Sequence, residues 1–414
     1  MSTPSAPGQD GPGTPAVSDA VAAASKRSAL IGAIFLMATS AIGPGFITQT
    51  ATFTLQLGAA FACAIVLSIV VDVAVQMNVW RIVGVAGKRA HELANEALPG
   101  AGWVLTALVV VGGFVFNIGN VAGSGLGLDA LLGLEPRIGG AISALVAIGI
   151  FLSKRAGIAL DRVVLVLGLV MIVATAVVAF TSDPPVGEAL VNVVAPRQFD
   201  VLAVTTIIGG TVGGYITYAG AHRLLDSGTT GPENVRDITR GSLVGILVTG
   251  VMRVLLFLAI LGVIAGGAGL DEGNVAASAF EAASGEAGLR VFGLILWAAA
   301  LTSVIGASYT SVSFLTTERT APRVRNLMTV AFIVATTVVF VVIEQAPQTL
   351  LVFAGAFNGM ILPIGFGILL YVAWRRRDLL QGYRYPAWLL SAGVLAWLLT
   401  LYLAYSSIKP LGAL

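Results

Sequence analysis

Charge, histidine and cysteine are all scarce in this 414-residue chain. Asp, Glu, Lys and Arg together make up 11% of it, against about a quarter in ordinary globular domains. The net charge is only +2, with no basic stripe interleaved with aromatics, which argues against nucleic acid as a partner. Two histidines, His91 and His222, leave no credible Ser–His–Asp set, and neither a GxxxxGK[ST] phosphate loop nor an HExxH zinc motif occurs. No enzyme constellation is visible, and no cofactor is expected. A single cysteine, Cys63, excludes an intramolecular disulfide.

What is abundant is apolar sequence. Hydrophobic residues reach 57% and the mean hydropathy is +0.93, so the chain reads as one lipid-embedded domain. Residues 1–25 are rich in Pro, Gly, Ser and Ala without an apolar core, and read as a disordered cytoplasmic tail, not a signal peptide. A bilayer span needs about 20 apolar residues. Eleven such runs are predicted, at 29–54, 57–80, 101–133, 138–153, 160–180, 201–224, 240–266, 290–316, 326–344, 347–374 and 386–408.

The positive-inside rule tests that count. With the amino terminus inside, eighteen of the 23 Lys and Arg fall in loops on the cytoplasmic side. Four, Arg137, Arg197, Arg290 and Lys409, fall outside, and Arg253 lies within a span. A miscounted helix would scramble this alternation. The expected place is the plasma membrane, with the carboxyl terminus outside. The acidic loop after the seventh helix reads as partly helical, and "HELANEALPGAG" after the second as a short interfacial helix, with His91 a loop residue.

Two spans are interrupted at matched places. The first carries Gly43-Pro44-Gly45 within "ATSAIGPGFITQT", and the sixth carries four glycines in the six positions 209–214, within "IIGGTVGGYITYAG". Proline removes a donor and glycine permits non-helical angles, and freed backbone groups survive in a membrane only where they line a cavity. Breaks in corresponding helices of two five-helix halves are the sequence pointer to a transporter of inverted repeats, with its site at the midplane.

These segments resemble the Nramp divalent-metal transporters. The sixth-helix stretch is similar to that family's I-I-G-A-T-V-M-P-H-N-L-Y, and "GAIFLMATSAIGPGFIT" resembles its first helix. "GVAGKRAHELANE", "NVAGSGLGLDALLGL", the spacing of "FGLILWAAALTS" and the "LP" followed by "RRRDLLQG" are further echoes. The resemblance implies an all-α, LeuT-type bundle of five plus five inverted helices with an eleventh added. Repeat one would span about 29–180, repeat two 201–374 and the extra helix 386–408, within a single transporter domain over 26–414. Monomers are common for this architecture.

The chain departs from the family where the metal would bind. The family's first-helix Asp and Asn fall on Gly43 and Phe46, and its sixth-helix Met, Pro and His on Gly213, Gly214 and Tyr215. Two third-helix acids fall on Asn117 and Asn120. A slip of the first-helix alignment by four residues brings Ile47 and Thr50, again without an acid. A bare divalent cation needs anionic or several strong donors in a low-dielectric site. Glycine at 213 and 214 clears side-chain volume, Phe46, Tyr215 and Tyr218 offer flat walls, and Gly45, Thr48 and Gln49 follow the first break. Amides at the two half-helix amino termini suit a carboxylate.

The expected function is therefore secondary active transport of a small organic carboxylate or zwitterion, coupled to H+ or Na+. The alternative is transport of a divalent metal (Mn2+, Fe2+ or Mg2+) through a non-standard site. For coupling, Asp72 and Arg253 lie in corresponding helices and are expected to pair. His222 lies near Asp226 at a helix end, where solvation is expected. Thr302 and Ser303 of the eighth helix are hydroxyls of the type that completes a sodium site. A channel fits less well than alternating access, because both halves carry a broken helix.

Overall fold

Helix ends fall where backbone chemistry changes. The computed structural model describes residues 34, 38, 41–226, 228–317 and 319–411, the side chains of 154–164 and 410–411 excepted. The expected tail and most of the first half of helix 1 lie outside these. Every described element is helical. We label them α1 (Pro44–Leu57), α2 (Ala62–Ala86), α3 (Ala90–Ala97), α4 (Ala101–Leu132), α5 (Pro136–Leu152), α6 (Lys154–Thr181), α7 (Val186–Val194), α8 (Val201–Val212), α9 (Ile216–Asp226), α10 (Val235–Ala265), α11 (Val275–Leu315), α12 (Pro322–Val342), α13 (Pro347–Arg375) and α14 (Ala387–Ser406).

Local chemistry sets several boundaries. Pro136 starts α5, and the Glu135 carboxylate accepts from the amides of Arg137 and Ile138. Asp200 caps α8 through the Ala203 amide at 2.8 Å. Gly87 and Gly133 end α2 and α4 in the left-handed region, at φ 66° and 71°.

Among the described residues, eight helical runs are long and apolar enough to cross a membrane, nine with the pair Leu165–Thr181 and Val186–Val194, bent by 104°. The expected eleven reconcile with this on three counts. Pro44–Ala86 is one run of 43 residues, about 65 Å if straight and twice the apolar thickness, so it is more than one pass: the half of helix 1 after its break, and helix 2, joined at Gly58 (φ 54°). The fourth helix, Pro136–Leu152, is a shorter apolar helix, and the fifth is counted only with its bent partner. The acidic loop after the seventh helix is helical from Val275, and Gly285 (φ 67°) kinks it into the eighth. His91 is not in a loop: it belongs to α3, because Glu92 caps the Arg89 amide and starts a helix there.

Close packing depends on small residues, as membrane helices require. A Cβ on Gly127 would meet the Trp297 backbone, and one on Gly293 the Leu131 amide at 2.6 Å, so α4 and α11 touch nearly backbone to backbone. The core then surrounds α1, α8 and α9, whose described residues are almost wholly buried.

Candidate functional site

The two breaks differ in kind. At the first, Gly43 is extended (φ −75°, ψ 178°), a conformation open to any residue, and the break comes from Pro44 restarting the helix as α1. At the second, α8 ends at Val212 and α9 begins at Ile216, and Gly214 sits at φ 53°, where glycine is needed. The Thr217 hydroxyl reaches back across this break to the Val212 carbonyl, satisfying one freed acceptor.

The breaks are joined by amide side chains. Gln49 donates through Nε2 to the Leu351 carbonyl of α13 at 2.8 Å, and a Cβ on Gly210 of α8 would collide with its Oε1. A Cβ on Gly214 would likewise collide with Asn358 Oδ1, and one on Gly213 would lie 2.8 Å from the Asn358 carbonyl. Asn358 donates to the Gly112 carbonyl of α4 at 3.0 Å. Phe116 of α4 stands 3.1 Å from where a Gly45 Cβ would be, and its ring meets Tyr215 edge-on at 5.5 Å. Asn120 lies one turn from Phe116 and one turn from Gly123, which packs on Pro44. Phe46 and Thr48 are buried beside them.

Several buried polar atoms here have no hydrogen-bond partner among the described residues: Gln49 Oε1, Asn358 Oδ1, Asn117 Oδ1, both Asn120 amide atoms and Ser311 Oγ. Buried polar atoms are overwhelmingly paired, so a cluster of orphans marks a place for water or a guest. No group of three or more His, Cys, Asp or Glu that could hold a metal occurs among the described residues. The donor set is neutral throughout.

The expected clearance at Gly213 and Gly214 is absent. Asn358 closes onto both glycines and Gly209 onto Gly213, and the cavity at Gly214, Tyr218 and Gly365 holds about 10 Å³, roughly one water. The site is closed in this conformation. Asn117 binds Ser308 (3.2 Å) and Thr336 (2.9 Å), tying α4 to α11 and α12. Thr302 donates within its own helix to the Ala299 carbonyl, and Ser303 is buried on the same helix.

Asp72 and Arg253 form the expected ion pair at 2.5 Å, each side chain 1% exposed, with Ser68 as a further partner of Arg253. The pair joins α2 to α10 and touches neither break.

His222 is not solvated. Its Nε2 accepts the Ala90 amide at 3.2 Å, so the ring proton lies on Nδ1, facing the Ser313 hydroxyl at 3.1 Å. Its ring stacks on Phe314 at 4.8 Å, and Tyr218 meets Phe314 edge-on at 5.2 Å. Beside it is a cluster that the sequence reading missed. Arg89 donates to the Ser313 carbonyl (2.7 Å) and to Asp226 (3.2 Å), while Tyr309 donates to the same carboxylate. Its only sequence signal was the His222–Asp226 proximity. In α3, burial holds the His91 imidazole below its ordinary pKa, with Glu92 opposing and Arg89 reinforcing.

The profile of the Natural resistance-associated macrophage protein-like family matches residues 34–409. An uncharacterized membrane protein of Bacillus subtilis (strain 168), YcsG, is 52% identical over 371 residues, 89% of this chain and 91% of its own. An uncharacterized membrane protein of Haemophilus influenzae is 49% identical, covering 93% and 96%. Among solved structures, the Eremococcus coleocola manganese transporter, in complex with an aromatic bis-isothiourea substituted compound, superposes with TM-score 0.73 at 17% identity, covering 97% of this chain and 89% of that one. MhsT in complex with L-phenylalanine superposes with TM-score 0.66 at 16% identity, covering 90% and 98%. At such identities these structures bear on the fold alone.

Proposed function

Because the chain belongs to the Natural resistance-associated macrophage protein-like (Nramp) family, we propose that it is a secondary active transporter moving a small organic carboxylate or zwitterion through the site between its two helix breaks. The observation that carries the cargo class is the neutral, partly unpaired amide cluster of Gln49, Asn120 and Asn358 where both breaks meet. Amides and hydroxyls hydrogen-bond a carboxylate or ammonium group without demanding charge balance. The first-turn amides of α1, at Gly45 and Phe46, add a positive dipole end on the same side.

In this reading the closed state described above is one of at least two. Opening would withdraw α13, whose Asn358 fills the space beside Gly213 and Gly214. The solute would then take over the unpaired amide contacts. Coupling to H+ or Na+, the cytoplasmic amino terminus and the plasma-membrane location belong to the same proposal.

A second reading is transport of a divalent metal through a non-standard site. Membership of the Nramp family, whose resemblance implies divalent-metal transport, favours it over an organic solute. The donor chemistry weighs the other way, since neutral ligands leave two positive charges uncompensated away from water. Uptake into proteoliposomes separates the two. The organic reading expects accumulation of one labelled carboxylate or amino acid and no manganese uptake. Manganese uptake without any organic solute would replace it with the second.

A further inference from the structure

On the outer wall of the bundle, α13 and α14 leave a groove of about 680 Å³ between them, within the roughly 300–1,000 Å³ of ligand sites. Leu370, Tyr371 and Trp374 line it from one helix, and Leu390, Leu395 and Trp397 from the other. Trp374 is 57% exposed and Leu395 69%. Trp397 donates its indole N–H to the Pro363 carbonyl at 2.8 Å, so its one polar atom is already paired within the protein. From Gly367 to Trp374 the groove runs two helical turns, about 10 Å, along the membrane-facing surface.

One end of the groove is strongly basic. α13 ends at Arg375 and α14 begins at Ala387, so the loop between them brings four arginines to the same end. The Arg375 guanidinium lies 4.0 Å above the Trp374 ring. Arg376 is engaged by the Asp378 carboxylate at 2.8 Å and by the Glu96 carbonyl at 2.7 Å. That hydrogen bond keeps Asp378 below its ordinary pKa, so this acid stays charged and paired. Arg375, Arg377 and Arg384 are exposed, and no ion pair is formed by any of them among the described residues. An apolar groove open to lipid takes an acyl chain, and unpaired arginines at its interfacial end take a phosphate. We propose that this groove binds one anionic phospholipid, its acyl chain between α13 and α14 and its phosphate on Arg375, Arg377 and Arg384.

The position has a consequence for the rest of the protein. α13 also carries Leu351, Gly355 and Asn358, the residues that close on Gln49 and Gly214, with Pro363 inside the helix between them and the groove. A lipid seated there braces the element that must move for the central site to open. The inference does not depend on which solute is carried.

The test uses the full chain purified in detergent, with phosphatidylglycerol or phosphatidylcholine added at equal concentration and retention read by native mass spectrometry. Wild type is expected to retain phosphatidylglycerol about tenfold more than phosphatidylcholine. R377Q/R384Q, at two exposed positions, is expected to lose that preference while eluting as a folded protein. Ser391→Trp, which fills the groove, is expected to lose both lipids. Equal retention of the two lipids by wild type would overturn the proposal. So would a preference that survives either R377Q/R384Q or Ser391→Trp.

Discussion

Gly214 combines two demands that no other residue meets. Its φ of 53° lies in the left-handed region, and Asn358 Oδ1 occupies the place of a side chain. Gly214→Ala is therefore expected to destabilise the closed state by about 1–3 kcal/mol, read as a lower thermal midpoint in detergent. Asp72 and Arg253 pose a different problem. Removing one partner strands a buried charge, so Asp72→Leu or Arg253→Met alone should cost about 3–5 kcal/mol. The double variant should recover most of the loss, and a double variant no better than either single one would show that the charges do more than balance each other. This pair was legible because two lone charges in corresponding helices have few other partners. Asn358 was not, since a single Asn in an apolar helix gives no sign that it will face a glycine break 144 positions earlier in the chain.

The short helix α3 is where the bundle is tied shut at one end. Arg89 at its start binds α9 through Asp226 and α11 through the Ser313 carbonyl, and the Ala90 amide caps His222. Arg89→Gln is expected to loosen these contacts together. With Cys63 replaced by serine, a cysteine introduced at the fully buried Ser311 should then react with a maleimide severalfold faster than in the Arg89 background. In the fold His91 stays neutral to lower pH than the unfolded chain, which takes up a proton below about pH 6.5. Stability is therefore lost as pH falls through that value toward the lower folded pKa, and His91→Gln should flatten this acid slope in thermal melts. From sequence, Arg89 was one more cytoplasmic positive charge. Hydropathy and charge alternation locate helix ends, but they carry no information on which loop side chain folds back over a neighbouring helix.

At the scale of the whole molecule, the breaks at Pro44 and Gly214 were readable because proline and glycine act on their own backbone, wherever the rest of the chain goes. The number of passes was readable from apolar length, apart from the short fourth helix and the bent fifth. The site's present shape was not. It depends on α13 closing against α8, a contact set by glycines at 209, 355 and 359 that admit a neighbouring backbone. A neutral amide site at the two breaks is expected to receive an organic solute and not a bare divalent cation. Isothermal titration of the purified chain, first with manganese and then with a panel of small carboxylates and amino acids, tests it most directly. No heat is expected with manganese, and saturable binding of one organic solute that Gln49→Leu abolishes. Micromolar manganese binding, with silence across the organic panel, would contradict it.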